Sequence, residues 1–240
     1  MKLEIRGMIE NSLLDWDGKV VSTLFVPRCN FRCPYCQNSG LVLYPEKYPV
    51  IPVSVIQEHL LKYRNWIDGI CLTGGEPCLY EDIDLFLEEI KKLGMKIKLD
   101  TNGAFPEVIK KLFEKNLVDY IAMDIKSSFE NSLDREKTKY EEAAGVKVDT
   151  NRIKESIRII MESGIEYEFR TTVVPVLHTA EDITAIARYI KGARKYCLQN
   201  FSSREVMRAK FKKVVPYKLE ELEEMRKLSL VFVKECIVRG

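Results

Sequence analysis

From "KVVSTLFV" (19–26) onward the chain alternates short apolar, β-branched runs with longer stretches whose apolar residues recur at helical spacing. The runs at 19–26, 69–74, 96–102, 118–126, 165–174 and 195–201 read as strands. Between them, Pro52 opens a helix carrying Val53, Ile56, Leu60 and Leu61. A second helix presents Ile83, Phe86, Leu87, Ile90 and Leu93 as one stripe and ends at Gly94. Pro106 sits at the first turn of the next helix, and Thr150 reads as the cap of a helix bearing Ile153, Ile157, Ile160 and Met161. Thr179 and Asp182 have capping-box spacing ahead of Ile183, Ile186 and Ile190, and a charged helix begins near 218.

Strands that alternate singly with helices require parallel pairing through crossovers. The expected fold is therefore α/β, a partial (β/α)6 TIM-like barrel with parallel strands; pattern alone leaves a doubly wound sheet open. We expect one domain over 1–240, with a core of about 15–201 and a helical extension of about 204–240 that includes Cys236. Either topology puts ligands at the C-terminal ends of the strands. The polar groups fall there in turn: Cys29, Cys33 and Cys36 after the first strand, "TGGEP" (73–77) after the second, "DTNG" (100–103) after the third. "MDIK" (123–126), Arg170, and Gln199 with Asn200 follow on the fourth, fifth and sixth.

Three of the seven cysteines lie in "CNFRCPYC" (29–36), spaced C-x-x-x-C-x-x-C. Thiolates are soft ligands, suited to zinc, copper(I) or iron–sulfur clusters. A structural zinc site closes four ligands, and neither a second C-x-x-C pair nor a ligand-spaced histidine is present; His59 and His178 are the only histidines. Three cysteines on a 4Fe–4S cluster leave one iron without a protein ligand, open to a small molecule.

Cys29, Cys33 and Cys36, with Tyr35 before the last, resemble the signature of the radical S-adenosylmethionine (SAM) superfamily. The resemblance implies that the amino and carboxylate groups of SAM chelate the open iron, and that one electron splits it into methionine and a 5′-deoxyadenosyl radical. Thr73-Gly74-Gly75-Glu76-Pro77 is similar to the family's "GGE" strand end, where backbone carbonyls receive the SAM ammonium. "LDTNG", "MDIK" and "FRTTVVP" look like segments of glycyl-radical-enzyme activases. That likeness implies a monovalent cation held by Asp100, Thr101 and Asp124, with the Ala122 carbonyl beside them. It also implies Asn102 and Lys126 near the same site, Arg170 reaching the cofactor, Tyr35 packing by the adenine, and Gln199 facing adenine or ribose. The bland alternatives are aspartates that cap helices and an arginine that pairs with Asp124 or Asp100.

The activases of this branch that carry extra clusters have eight more cysteines before "GGE"; this chain has a helix-sized connection there, so one cluster is expected. Cys71 and Cys78 read as small packing residues, with a mildly reactive thiol as the alternative, Cys197 as a position within the last strand, and His178 as part of a loop. The implied function is a radical SAM oxidoreductase that makes a glycyl radical on a partner, by likeness anaerobic ribonucleotide reductase, with a flavodoxin or ferredoxin as donor. The alternative is a small-molecule radical enzyme resembling 7-carboxy-7-deazaguanine synthase. The polar tract 131–149 reads as a loop over the fourth strand end and a candidate substrate or partner contact, and the basic tract 202–218 as a solvated face, with contact to a partner or an RNA as its alternative. Net charge is +2, and no apolar run nears the roughly 20 residues of a membrane span. We therefore expect a cytoplasmic protein with no membrane partner and no nucleic acid.

Overall fold

The structure, a computed structural model, describes residues 2–130 and 137–240. One sheet contains eight strands in strictly sequential order: β1 (Gly7–Ser12), β2 (Val21–Val26), β3 (Gly69–Gly74), β4 (Lys96–Thr101), β5 (Tyr120–Asp124), β6 (Glu166–Val173), β7 (Tyr196–Asn200) and β8 (Cys236–Arg239). Only β1 runs antiparallel, folding back on β2; every other pairing is parallel. A doubly wound sheet reverses its strand order at a switch point, and this order never reverses, so the architecture is the partial TIM-like barrel. Six parallel strands match the expected six within a residue or two.

The helices are α1 (Ser39–Leu43), α2 (Val53–Lys62), α3 (Ile83–Lys92), α4 (Pro106–Glu114), α5 (Lys139–Ala144), α6 (Thr150–Glu162), α7 (Ala180–Tyr189) and α8 (Leu219–Ser229). The expected stripes are buried: Ile83, Phe86, Leu87 and Ile90 in α3, and Ile153, Ile157 and Ile160 in α6. Each such side chain contributes roughly 1.5–3 kcal/mol. Thr179 and Asp182 form a full capping box on α7.

Four expectations are corrected. The chain does not end in a helix: after α8 it turns back, and Cys236 lies in β8, paired in register with Tyr196. Three consecutive β-formers, Cys236-Ile237-Val238, favour an edge strand there. A first strand, β1, precedes the six. The cap of α6 is Asp149, whose carboxylate accepts from the Asn151 N–H, and Thr150 is the first helical residue. Within 131–149, residues 139–144 form α5, started by a capping box between Thr138 and Glu141; 131–136 lie outside the described residues.

The two faces of the sheet differ in kind. Leu24, Leu72, Leu99 and Ile121 are register partners and pack outward against the helices. The alternate residues face inward, and most are polar: Thr23, Cys71 and Lys98 in one row, Asp124, Arg170 and Cys197 in another. The segment before β2 plugs this interior. Thr23 donates to the Asp15 carboxylate and Lys98 to the Asp15 carbonyl, while the Trp16 and Tyr120 rings lie 5.6 Å apart. Asp17 accepts from Lys195 (2.7 Å) and Arg239 (2.6 Å), joining the first turn of the chain to β7 and β8 by charge where no strand pairing does so.

Arg239 also forks onto both oxygens of Glu168, 2.9 Å each, and Glu168 is 1% exposed. Arg239→Ala strands that carboxylate. It is expected to cost about 2–3 kcal/mol, below the 3–5 of a fully buried pair because Arg239 retains some solvent. A urea titration reads the loss, and adding Glu168→Gln is expected to restore part of it; an unchanged midpoint in the single variant would show that β8 is not held this way.

Candidate active site

The cysteine turn begins where β2 ends. Arg28 takes a left-handed backbone (φ 59°), which aims its carbonyl at the Glu76 N–H, 2.9 Å away, while the Gly75 N–H donates to the Val26 carbonyl. A methyl group on Gly75 would lie 1.6 Å from the Arg28 carbonyl oxygen, and one on Gly74 (φ +106°) would lie 2.6 Å from that of Val26. The paired glycines are thus the condition for the β3 end to nest against the cysteine turn. Asn38 adds a side-chain bond to the Gly74 carbonyl (2.8 Å).

Glu76 is buried and serves as a tie. Its carboxylate accepts from the Cys78 N–H (3.0 Å), the Thr101 hydroxyl (2.7 Å) and the Asn102 N–H (2.7 Å), joining the ends of β3 and β4. Burial raises its carboxyl above the ordinary range, with the three donors pulling the other way. Asn102 in turn donates to Asn30 (2.8 Å) and lies 3.7 Å from the Cys29 sulfur.

Below the rim four ion pairs join five residues in a row of alternating charge: Lys98 to Asp100 at 2.9 Å, Asp100 to Arg170 at 2.9 Å, Arg170 to Asp124 at 2.8 Å and Asp124 to Lys126 at 2.9 Å. Asp124 and Arg170 are register partners on adjacent strands. Arg170 reaches Asp100 across β5 because Ala122, the register partner of Asp100, offers only a methyl there. Burial acts to raise both aspartates, but the flanking cations outweigh it and hold both below the usual range. Arg170 thus pairs with both aspartates. Thr101 turns its hydroxyl to Glu76, and no three Cys, His, Asp or Glu close around a single ion among the described residues.

All three cysteines line one cavity of about 460 Å³ with Tyr35, Gly74, Gly75, Glu76, Asp100, Thr101, Asn102, Asp124, Lys126, Arg170 and Gln199. Of the site residues named from the sequence, Ala122 alone is not on its wall. Sequence reading missed Asp15, Asn38, Thr172 and Arg239, which line it too. Arg239 was hidden by the helical reading of the C-terminal segment; Thr172 carried a signal, sitting two residues from Arg170 on the same inner face. The cavity fits a buried cluster and a polar ligand. Burial pushes the Cys29 thiol up to about 12, helped by Glu76, and the Cys33 thiol up to about 11 against Lys126; such thiols ionise on binding a metal. The Tyr35 hydroxyl and the Asn200 side-chain amide oxygen are buried with no hydrogen-bond partner among the described residues.

Of the scattered cysteines, Cys71, Cys78 and Cys197 are buried as packing residues. His178 is in a loop, fully buried, and structural. Its Nδ1 accepts from the Val174 N–H (3.0 Å), which fixes the tautomer so that Nε2–H donates to the Lys126 carbonyl (2.8 Å).

A family model, Radical SAM superfamily, matches residues 23–190. A provisionally named glycyl-radical enzyme activating enzyme of Methanocaldococcus jannaschii is 31% identical over all of this chain and 97% of its own length. A GTP 3′,8-cyclase of Aquifex aeolicus is 28% identical, covering 72% of this chain and 53% of the cyclase. Among solved structures, Streptococcus suis SuiB bound to S-adenosylmethionine superposes with a TM-score of 0.64 at 19% identity, over 89% of this chain and 48% of SuiB, so this chain spans about half of that one. TYW1 with a lysine-pyruvate adduct gives 0.57 at 14% identity, over 87% of this chain and 72% of TYW1. The chain belongs to the radical SAM superfamily, and membership implies a 4Fe–4S cluster and SAM.

Two outcomes are expected. Gly75→Ala drives the β3 end off the cysteine turn, so the purified variant is expected to keep its far-ultraviolet dichroism and lose most of its iron on reconstitution; a full iron complement would show the nesting to be dispensable. His178 has a folded value of about 4 against 6.5 for a free imidazole, because burial disfavours the imidazolium and its bond to Lys126 and the charge of Asp182 only partly compensate; Lys139 and Lys126 oppose protonation. Its contribution is complete above pH 6.5 and lost as pH falls towards 4, on the order of 3 kcal/mol. The difference in denaturation midpoint between wild type and His178→Gln is expected to shrink over that window; a constant difference would contradict the buried neutral ring.

Proposed function

We propose that this radical SAM protein is an activase that generates a glycyl radical on a partner enzyme, with anaerobic ribonucleotide reductase the partner that its sequence resemblance favours. The observation that carries this reading is coverage: the M. jannaschii relative matches along the whole of both chains, whereas the cyclase aligns with about half of itself.

In this reading Cys29, Cys33 and Cys36 hold the cluster, with one iron left to the amino and carboxylate groups of SAM. When bound, the pair supplies a 5′-deoxyadenosyl radical that abstracts hydrogen. The chain's own residues prepare that site. Glu76 holds the glycine turn and the Asn102 turn at fixed spacing, and Tyr35 and Asn200 offer the unpartnered polar atoms at which a nucleoside gains hydrogen bonds. Lys126, Asp124 and Arg170 set the charge beside Cys33, with Arg170 orienting the SAM carboxylate from its place between the aspartates. A monovalent cation joins Asp100 and Asp124 only if SAM displaces part of this pairing. An acidic flavodoxin or ferredoxin supplies the electron.

Anaerobic reconstitution with iron and sulfide, reduction in the presence of SAM, and incubation with a candidate glycyl-radical enzyme test the proposal. The expected result is a doublet electron paramagnetic resonance signal on the partner, absent when its radical glycine is replaced by alanine. Cys33→Ala is expected to abolish SAM cleavage. SAM cleavage without any protein radical, but with turnover of a small purine, would select the small-molecule alternative.

A further inference from the structure

The residues of the cysteine turn separate two cavities that share no residue. Cys33, Tyr35 and Cys36 face the front cavity, where the chemistry takes place. Pro34, between them, faces a second groove of about 410 Å³ on the back of the turn, whose apolar surface comes from Val176, Leu177, Phe211 and Val214. The Arg208 N–H donates to the Pro34 carbonyl (3.0 Å), so the tract 204–213 is fastened to the turn itself.

That tract carries Arg204, Arg208, Lys210, Lys212 and Lys213 against one acid, Glu205. All five cations are exposed, and Arg204, Arg208, Lys212 and Lys213 have no carboxylate partner among the described residues. On α4 and α6 several cations are paired by contrast: Lys111 and Lys115 meet Asp84, Arg152 meets Glu107, and Arg158 meets Glu155 and Glu162. Glu141 and Glu142 lie across the groove, and Glu141 is engaged in its capping box. Five cations against one acid thus adjoin an apolar groove, two of them (Arg208 and Lys210) on its wall, and that groove meets the cysteine turn at Pro34, next to Cys33.

We propose that this basic back face docks an acidic one-electron carrier protein, which delivers its electron through the cysteine turn. The proposal rests on the radical SAM reading and its need for an electron, not on the activase reading. One electron leaves the carrier, which is oxidised by one equivalent, and the bound cluster is reduced by one; no bond or proton changes hands. Charge steering over a small interface suits such transient partners. A single-stranded RNA needs exposed rings for stacking, and the tract's one aromatic residue, Phe211, is buried. A protein offering a hydrogen atom to the radical must approach the front cavity instead.

The test uses the full-length protein and a bacterial two-cluster ferredoxin as probe. Calorimetry with oxidised ferredoxin is expected to show binding that weakens at least tenfold between about 50 and about 300 mM salt, as screening of exposed charge requires. It is expected to weaken as much in Arg208→Glu/Lys212→Glu/Lys213→Glu, and less in the milder Lys212→Gln/Lys213→Gln. In the reconstituted protein, stopped-flow reduction by reduced ferredoxin is expected to slow at least tenfold in the charge-reversed variant, while reduction by titanium(III) citrate keeps the wild-type rate. Equal rates with ferredoxin, equal slowing by both reductants, or binding of poly(U) in place of ferredoxin would each overturn the proposal. Neither measurement involves a glycyl-radical enzyme, so failure of the activase reading leaves it intact.

Discussion

Two carboxylates buried side by side repel each other and lose their hydration, and the interior of this barrel tolerates Asp100 and Asp124 because the Arg170 guanidinium stands between them. That arrangement fixes more than charge. Asp100 lies near the end of β4, Asp124 ends β5 and Arg170 lies within β6, so one side chain ties three neighbouring strands together. Lys98 and Lys126 close the row at either end, leaving three cations over two anions under the rim. Lys126 is the end on the side of Cys33, where its charge offsets part of the cost of ionising a buried thiol. Ala122, the register partner of Asp100, presents only a methyl group on the strand that the row crosses.

The upper half of the site depends on backbone rather than on charge. The glycine pair lets the end of β3 lie against the cysteine turn, and Glu76 carries that constraint on to β4 through three hydrogen bonds. Gly145 repeats the device on the other side: a methyl there would lie 2.0 Å from the Arg32 carbonyl, and the Arg32 N–H donates to Ala144. The cysteine turn is therefore clasped between the β3 end and the end of α5. Preorganisation of this kind keeps three sulfurs on one wall without relying on the metal to gather them.

Much of this was legible in the sequence because parallel β/α units write their own punctuation. "GICLTG", with apolar residues running into glycine, gave β3 to the residue, and Thr179-x-x-Asp182 gave the start of α7. Strand-end position alone gathered Asp100, Asp124 and Arg170 onto one rim. What pattern cannot give is partnership. Periodicity places Lys98 on the face of Asp100, but it does not show that Arg170 pairs with both aspartates. Adjacent cap-formers hide the true one, as Asp149 and Thr150 did, since both satisfy the same local rule. β8 was lost for the opposite reason: four residues after a charged helix are too short for a period to emerge, and their strand state comes from pairing with β7. His178 gave no signal, because its task, tying the β6 turn to the Lys126 carbonyl, joins residues 52 positions apart.

A radical site faces conflicting demands on access. Its front has to close around the nucleoside and the hydrogen donor, because water and oxygen consume the radical. The electron that starts the reaction must nevertheless enter each time. A single opening would make the electron carrier and the hydrogen donor compete for one place. This fold resolves the conflict in the cysteine turn itself, where successive residues point opposite ways: Cys33 and Tyr35 inward to the cavity, Pro34 outward to the groove. An electron needs no channel, only a short path through packed atoms. The one-residue alternation of the C-x-x-x-C-x-x-C loop thus separates a dry reacting face from a wet, charged docking face by the thickness of a single peptide.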